Sequence, residues 1–175
     1  MTSQTVPPFA ELLGACTRTA VHLETRDGYA IPSEDEEFRA WRAGDDPRDR
    51  PREEWWGAFH DAVVDAVHRG VTVRRARVVS EPLSEYILHE YACTYRNVEA
   101  GEDVRWLPRS QASDLLLPGN DLWIFDDRLI RYGMFSGNGE LVGQSLEDDP
   151  DVVARHAAAF DAVWERAVPH ANYTP

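Results

Sequence analysis

Apolar and polar positions alternate along the chain in two rhythms, and these divide it into helices and strands. Trp55, Trp56, Phe59, Ala62, Val63, Ala66 and Val67 follow the i, i+3, i+4, i+7 spacing of a helix with one buried face, and Pro51 and Glu53 suit its first turn. A strand over 71–79 comes next, carrying Arg74, Arg75 and Arg77 among Val71, Val73, Val78 and Val79. It ends at Ser80-Glu81-Pro82, and the pattern predicts a further helix over 83–98. Upstream, 9–16 reads as a short apolar helix and 20–24 as a strand with Val21 and Leu23 on one face. Ser33 and Glu36 have the spacing of a capping box for a helix on which Phe38 and Trp41 share a face. Residues 44–52, rich in Asp and Pro, read as an exposed charged loop.

The second half is mostly extended. Val104 to Leu107 is a short strand, and 110–115 a single helical turn. Leu122-Trp123-Ile124-Phe125 is apolar throughout, as in a strand buried on both faces. A strand over 128–135 leads to Asn138-Gly139, a hairpin signal that returns the chain through 141–143. Asp149 and Pro150 open a last helix whose apolar face carries Val152, Val153, His156, Phe160, Val163, Trp164 and Ala167. This order predicts an α/β protein: a single domain over 9–175 with a mixed β-sheet flanked by helices, preceded by a flexible arm at 1–8.

Charge narrows the choice of partners. The 175 residues carry a net charge of −13, which argues against non-specific binding to nucleic acid or an anionic membrane. All 18 basic residues are arginine, so Schiff-base chemistry and a phosphate-binding P-loop lysine are excluded. Cys16 and Cys93 lie far apart in apolar patterns and read as reduced, buried thiols. With no signal-peptide pattern and no membrane-spanning run, a cytoplasmic location is expected.

Candidate chemistry centres on the arginine strand. Alternation places Arg75 and Arg77 on the face of Val71, Val73 and Val79, and Arg74 on the face of Ala76 and Val78. Buried guanidinium groups need anions. These are either the carboxylate or phosphate of a ligand, or internal carboxylates such as Glu24, Glu81, Asp121 or Asp126. Asp126-Asp127-Arg128 reads as a turn rather than a metal or acid–base site. The histidines form no cluster, and His89-Glu90 lacks the second histidine of a zinc-protease helix. Serine-nucleophile and nucleotide-binding glycine motifs are missing, and neither a metal site nor a cofactor is predicted.

Several segments resemble a family of actinobacterial proteins of about this length, many encoded beside helix-turn-helix regulators. They are Phe9–Leu13, His22–Tyr29, Arg69–Tyr86, Val104–Pro108 and Asp121–Asp126. That resemblance assigns no reaction. The succession of an RGV turn, a V-x-V-R strand, the Leu122–Asp126 strand and a last helix with Phe160, Trp164 and Ala167 is also similar to phospholipase D-type domains. That resemblance implies their fold. It would align Asp126 with the aspartate that follows the H-x-K signature, and the catalytic His and Lys would then fall on Gly119 and Asp121. Both are lost, so phosphodiesterase chemistry is not expected.

The expected function is a non-catalytic regulatory domain. It would bind a small anionic ligand, or a basic partner protein such as a helix-turn-helix regulator, through Arg75, Arg77, Glu81, Tyr86, Arg105 and Trp123. The alternative is a small hydrolase or lyase with Glu24, Asp27, Glu81 or Asp121 as base.

Overall fold

In the computed structural model, residues 6–175 are described, so most of the expected N-terminal arm lies outside the described residues. Three parallel strands, β1 (Thr19–Glu24), β2 (Thr72–Val79) and β3 (Asp103–Pro108), meet an antiparallel meander of β4 (Asp121–Phe125), β5 (Leu129–Phe135) and β6 (Leu141–Glu147). With a two-residue β7 (Val168–Pro169) they form one mixed sheet of order β6-β5-β4-β1-β2-β3-β7. The α/β single-domain architecture is the one read from the sequence. All five residues of β4 are buried, as an apolar run with no alternation requires. No helix among the described residues is long and apolar enough to cross a membrane.

Strand alternation sorts the core into layers. On one face Val21, Leu23, Ala76, Val78, Leu122, Ile124 and Ile130 pack against Val153, Phe160, Val163 and Trp164 of a helix that spans Pro150–Arg166. Asp149 caps that helix by accepting from the amides of Asp151 and Val152. Arg74 lies over the rings of Phe160 and Trp164, which keeps its charge beside aromatic faces. On the other face Ala20, Val73, Trp123 and Phe125 meet Leu13 of α1 (Phe9–Gly14) and Val63 and Ala66 of a helix spanning Ala58–His68. A smaller cluster of Val79, Ile87, Trp106 and Tyr173 closes the β3 end.

The helices differ from expectation in their breaks. The helix expected from 51 onward is two pieces, α3 (Arg52–Trp55) and α4 (Ala58–His68), because Gly57 is extended between them. In place of a Ser33 cap, Pro32–Glu34 forms a 3₁₀ turn that feeds α2 (Asp35–Arg42), and no side chain caps the join. Proline at the first position of that turn explains the difference, since its fixed φ starts the turn one residue before the serine. The stretch expected as one helix over 83–98 divides into α5 (Glu85–Cys93) and α6 (Tyr95–Ala100). Gly101 ends α6 at φ +104, a conformation L side chains rarely adopt, with Val67 within 3.1 Å of where a Cβ would sit. The last helix is α7. The 44–52 loop is not wholly exposed: Pro47 is buried, and its carbonyl accepts from Tyr95.

Candidate functional site

The face of the sheet beneath α2 and α5 carries charge where a core would carry hydrocarbon. Alternation brings His22 and Glu24 of β1, Arg75 and Arg77 of β2, Asp121 and Trp123 of β4 and Arg131 of β5 to this one face. Glu24 sits between the arginines, accepting from Arg75 Nη1 at 2.5 Å and meeting Arg77 Nε at 2.6 Å. Arg75 also donates to Glu102, which is itself fully buried, and Arg77 to Glu90 at 2.7 Å and to Thr94. Burial opposes the charge on Glu24, but Arg77 and Arg75 outweigh it and bring the carboxyl down to about 2. The network is a closed set of ion pairs, and both guanidinium groups are used up by protein carboxylates.

Beside this network lies a cavity of about 260 Å³, lined in part by His22, Tyr29, Glu34, Tyr86, Trp123 and Arg131. Trp123 stacks on the His22 ring at 4.3 Å. Burial, with Arg75 next to it, holds that imidazole well below its ordinary range, so it is neutral. Asp121 accepts from Thr25 N and Oγ1 and from Tyr29 Oη at 2.5 Å, and burial still raises its carboxyl. Glu34 accepts from Tyr86 Oη at 2.7 Å, while burial and then the charge of Glu90 push it up to about 7. Arg131 donates to Gln144 at 2.8 Å, its Nε is buried without a protein partner, and it makes no ion pair among the described residues.

Of the residues expected to bind a ligand, Arg75, Tyr86 and Trp123 line this cavity, as do the candidate acids Glu24 and Asp121. Arg77 lies beneath it, 3% exposed, as a brace for Glu24 and Glu90. Three expected members are elsewhere. Arg105 points to the α7 side, its guanidinium 4.2 Å from the Trp164 ring and donating to the Trp164 carbonyl, because Trp106 takes the other face of β3. Glu81 accepts from Tyr173 Oη at 2.7 Å and fastens the C-terminal segment. Asp27 accepts from Ser80 N and Oγ and from Arg109, clasping the loop after β1 to the end of β2. Asp126 makes the expected turn, with φ +53 at both Asp126 and Asp127. It accepts from the amides of Thr17, Arg18 and Thr19, which against its burial hold it down to about 2.

The sequence reading missed Glu34, Glu90, Glu102 and Arg131. Arg131 was open to discovery, since alternation along β5 puts it with Gly133 and Phe135, opposite the apolar Ile130. The glutamates come from separate helices and a loop, and only packing brings them to the arginines. Also outside the expected set are Glu37 of α2 and His89 and Cys93 of α5, whose donor atoms lie within 4.8 Å of one another.

The chain matches, over residues 7–175, the family described as Domain of unknown function (DUF6879), and it belongs to that family. No curated protein matches it in sequence. Among solved structures it is similar to Nuc, a phospholipase D family member from Salmonella typhimurium. The identity is 12%, the TM-score 0.52, and the match covers 91% of this chain and 86% of that one. It is also similar to TrmBL2, an archaeal chromatin protein, at 17% identity and a TM-score of 0.45 over 91% of this chain and 48% of that one. At such identities the likeness to Nuc is one of fold.

Proposed function

We propose that this member of the DUF6879 family binds a small anionic ligand in the cavity and leaves it chemically unchanged, as part of a regulatory system. One observation carries the reading. Once the ion pairs of the sheet are counted, Arg131 is the cavity cation left without a counter-ion among the described residues, and its buried Nε finds no partner among them. A ligand carboxylate or phosphate would satisfy it, and Trp123, His22 and Tyr29 would wall in the apolar part. The anion role thus moves from Arg75 and Arg77 to Arg131. The carboxyl oxygens of Glu34 and Asp121, which also line the cavity, favour a ligand that offers a hydrogen-bond donor as well, such as an amino group. If Asp126 stands for the aspartate of the phospholipase D-type signature, Asp121 takes the place of its lysine, the anion-binding group that such chemistry needs. The strongly acidic composition supports a basic regulatory protein as the reader of the bound state.

Thermal-shift screening with inorganic phosphate, short carboxylates and amino acids tests this directly. A ligand that raises the melting temperature of the wild type should bind Arg131→Gln roughly 10–100-fold more weakly, the worth of one charge-assisted hydrogen bond. No shift with any of these anions, or equal binding by the variant, would sink the proposal.

A second reading has a specific observation behind it. Glu34 titrates at about 7, where a general acid or base works best, and it faces the same cavity. A small hydrolase or lyase would use Glu34 or Asp121 as its base. In that case the bound ligand is consumed, and Glu34→Gln abolishes turnover while ligand still binds.

A further inference from the structure

We propose that Glu37, His89 and Cys93, none of which lines the anion cavity, form a divalent-cation site of the zinc type. His89 and Cys93 stand four residues apart on α5 and share a face, and Glu37 reaches them from α2. The His89 Nε2 to Cys93 Sγ distance is 3.4 Å. Zinc bonds of about 2.0–2.1 Å to nitrogen and about 2.3 Å to sulfur, at a tetrahedral angle, set the two donor atoms about 3.6 Å apart. The pair therefore already has the spacing that one shared ion would impose, and the carboxylate lies within 4.8 Å of both.

Three further observations support a built site. His89 is 1% exposed, sits among the rings of Phe38 and Trp41, and among the described residues has as its polar contact only the thiol, a weak donor. Such a buried imidazole is costly unless something binds it. Glu37 is held in place by Arg96, which donates to both carboxylate oxygens, with Arg50 at 3.9 Å. Each oxygen keeps a lone pair, so Arg96 plays the orienting role that outer hydrogen bonds give to metal-binding carboxylates. Finally, the trio lines a cavity of about 550 Å³ together with His60, Arg96 and Asn97, which leaves room for a fourth ligand. On binding, the Cys93 thiol releases its proton to solvent. The thiolate and the Glu37 carboxylate then neutralise the two charges of the ion, and Arg96 and Arg50 stay outside the first layer of donors.

Cobalt(II) and zinc alone are the probes. Titrating metal-free full-length protein with cobalt should give a sulfur-to-cobalt charge-transfer band that saturates at one equivalent and is bleached by zinc. Zinc should also raise the melting temperature of the wild type. Cys93→Ser, which keeps the size of the side chain, should lose the band and the zinc-dependent shift while melting as one transition without metal. His89→Gln should weaken binding at least tenfold. If no band forms, the pair is a hydrogen-bonded thiol and imidazole only, and the proposal fails. It fails equally if zinc shifts the melting of Cys93→Ser and wild type alike, because the ion then binds elsewhere.

Discussion

Replacing Glu24 by glutamine keeps the shape of the side chain and removes the charge that two buried arginines share. Arg75 and Arg77 are 7% and 3% exposed, and each meets Glu24 at 2.5–2.6 Å. Each would keep one carboxylate, Glu102 or Glu90, so neither is left wholly unpaired. Breaking a buried pair costs about 3–5 kcal/mol, and the surviving partners place this case near the lower end. The titration of Glu24 gives a second route. A carboxyl at about 2 in the folded state and 4.5 when unfolded contributes about 3 kcal/mol at neutral pH. The folded value is the lower one, so this stability is full above 4.5 and is lost as pH falls toward 2. Urea unfolding at pH 7 should show Glu24→Gln less stable by about 3 kcal/mol, equivalent to a melting temperature lower by roughly 6–12 °C for a domain of this size. At pH 3 the gap should narrow to roughly half or less, the part of the linkage still present about one pH unit above the folded value. A gap below about 1 kcal/mol at pH 7, or one that acid leaves unchanged, would refute the picture of Glu24 as the charged hub.

Glu34 should behave in the opposite sense. Its folded value of about 7 lies above the ordinary 4.5, so whatever it contributes is full below 4.5 and is lost as pH rises through 7. Glu34→Gln should accordingly raise the melting temperature at pH 8 and leave it unchanged at pH 4, as scanning calorimetry at the two pH values would show. Asp126→Asn tolerates the left-handed turn but gives up charge-assisted bonds from three backbone amides, and should cost about 1–3 kcal/mol in denaturant unfolding. Wild-type stability in that variant would mean the amides do not depend on the charge.

Period-two alternation was enough to put Arg75 and Arg77 on one face and Arg74 on the other, and the apolar run 122–125 announced a central strand. Those signals are local. The partners of the arginines are not: Glu102 lies 27 residues beyond Arg75, after two helices. Arg105 illustrates the limit of alternation, which says that it opposes Trp106 but not which of them faces the cavity. Choosing needs the order of strands, and β7, two residues long and ending in proline, carries no pattern to supply it. The His89–Cys93 pair was legible in principle, because a spacing of four on a helix is a ligand spacing for any two donor types, not only for two histidines.

The seam between β1 and β4 has a consequence for how the chain is made. The amide of Arg18 that meets Asp126 lies 108 residues away from it along the chain. On a ribosome adding about 5–20 residues per second, β1 emerges roughly 5–20 s before the strand that covers its open side. During that interval β2 can shelter only its other edge, and the bare edge is free to pair with a neighbouring nascent chain. The meander of β4, β5 and β6, by contrast, closes on near neighbours within microseconds of its synthesis. An edge at the centre of the finished sheet is therefore left bare while about a hundred further residues are made.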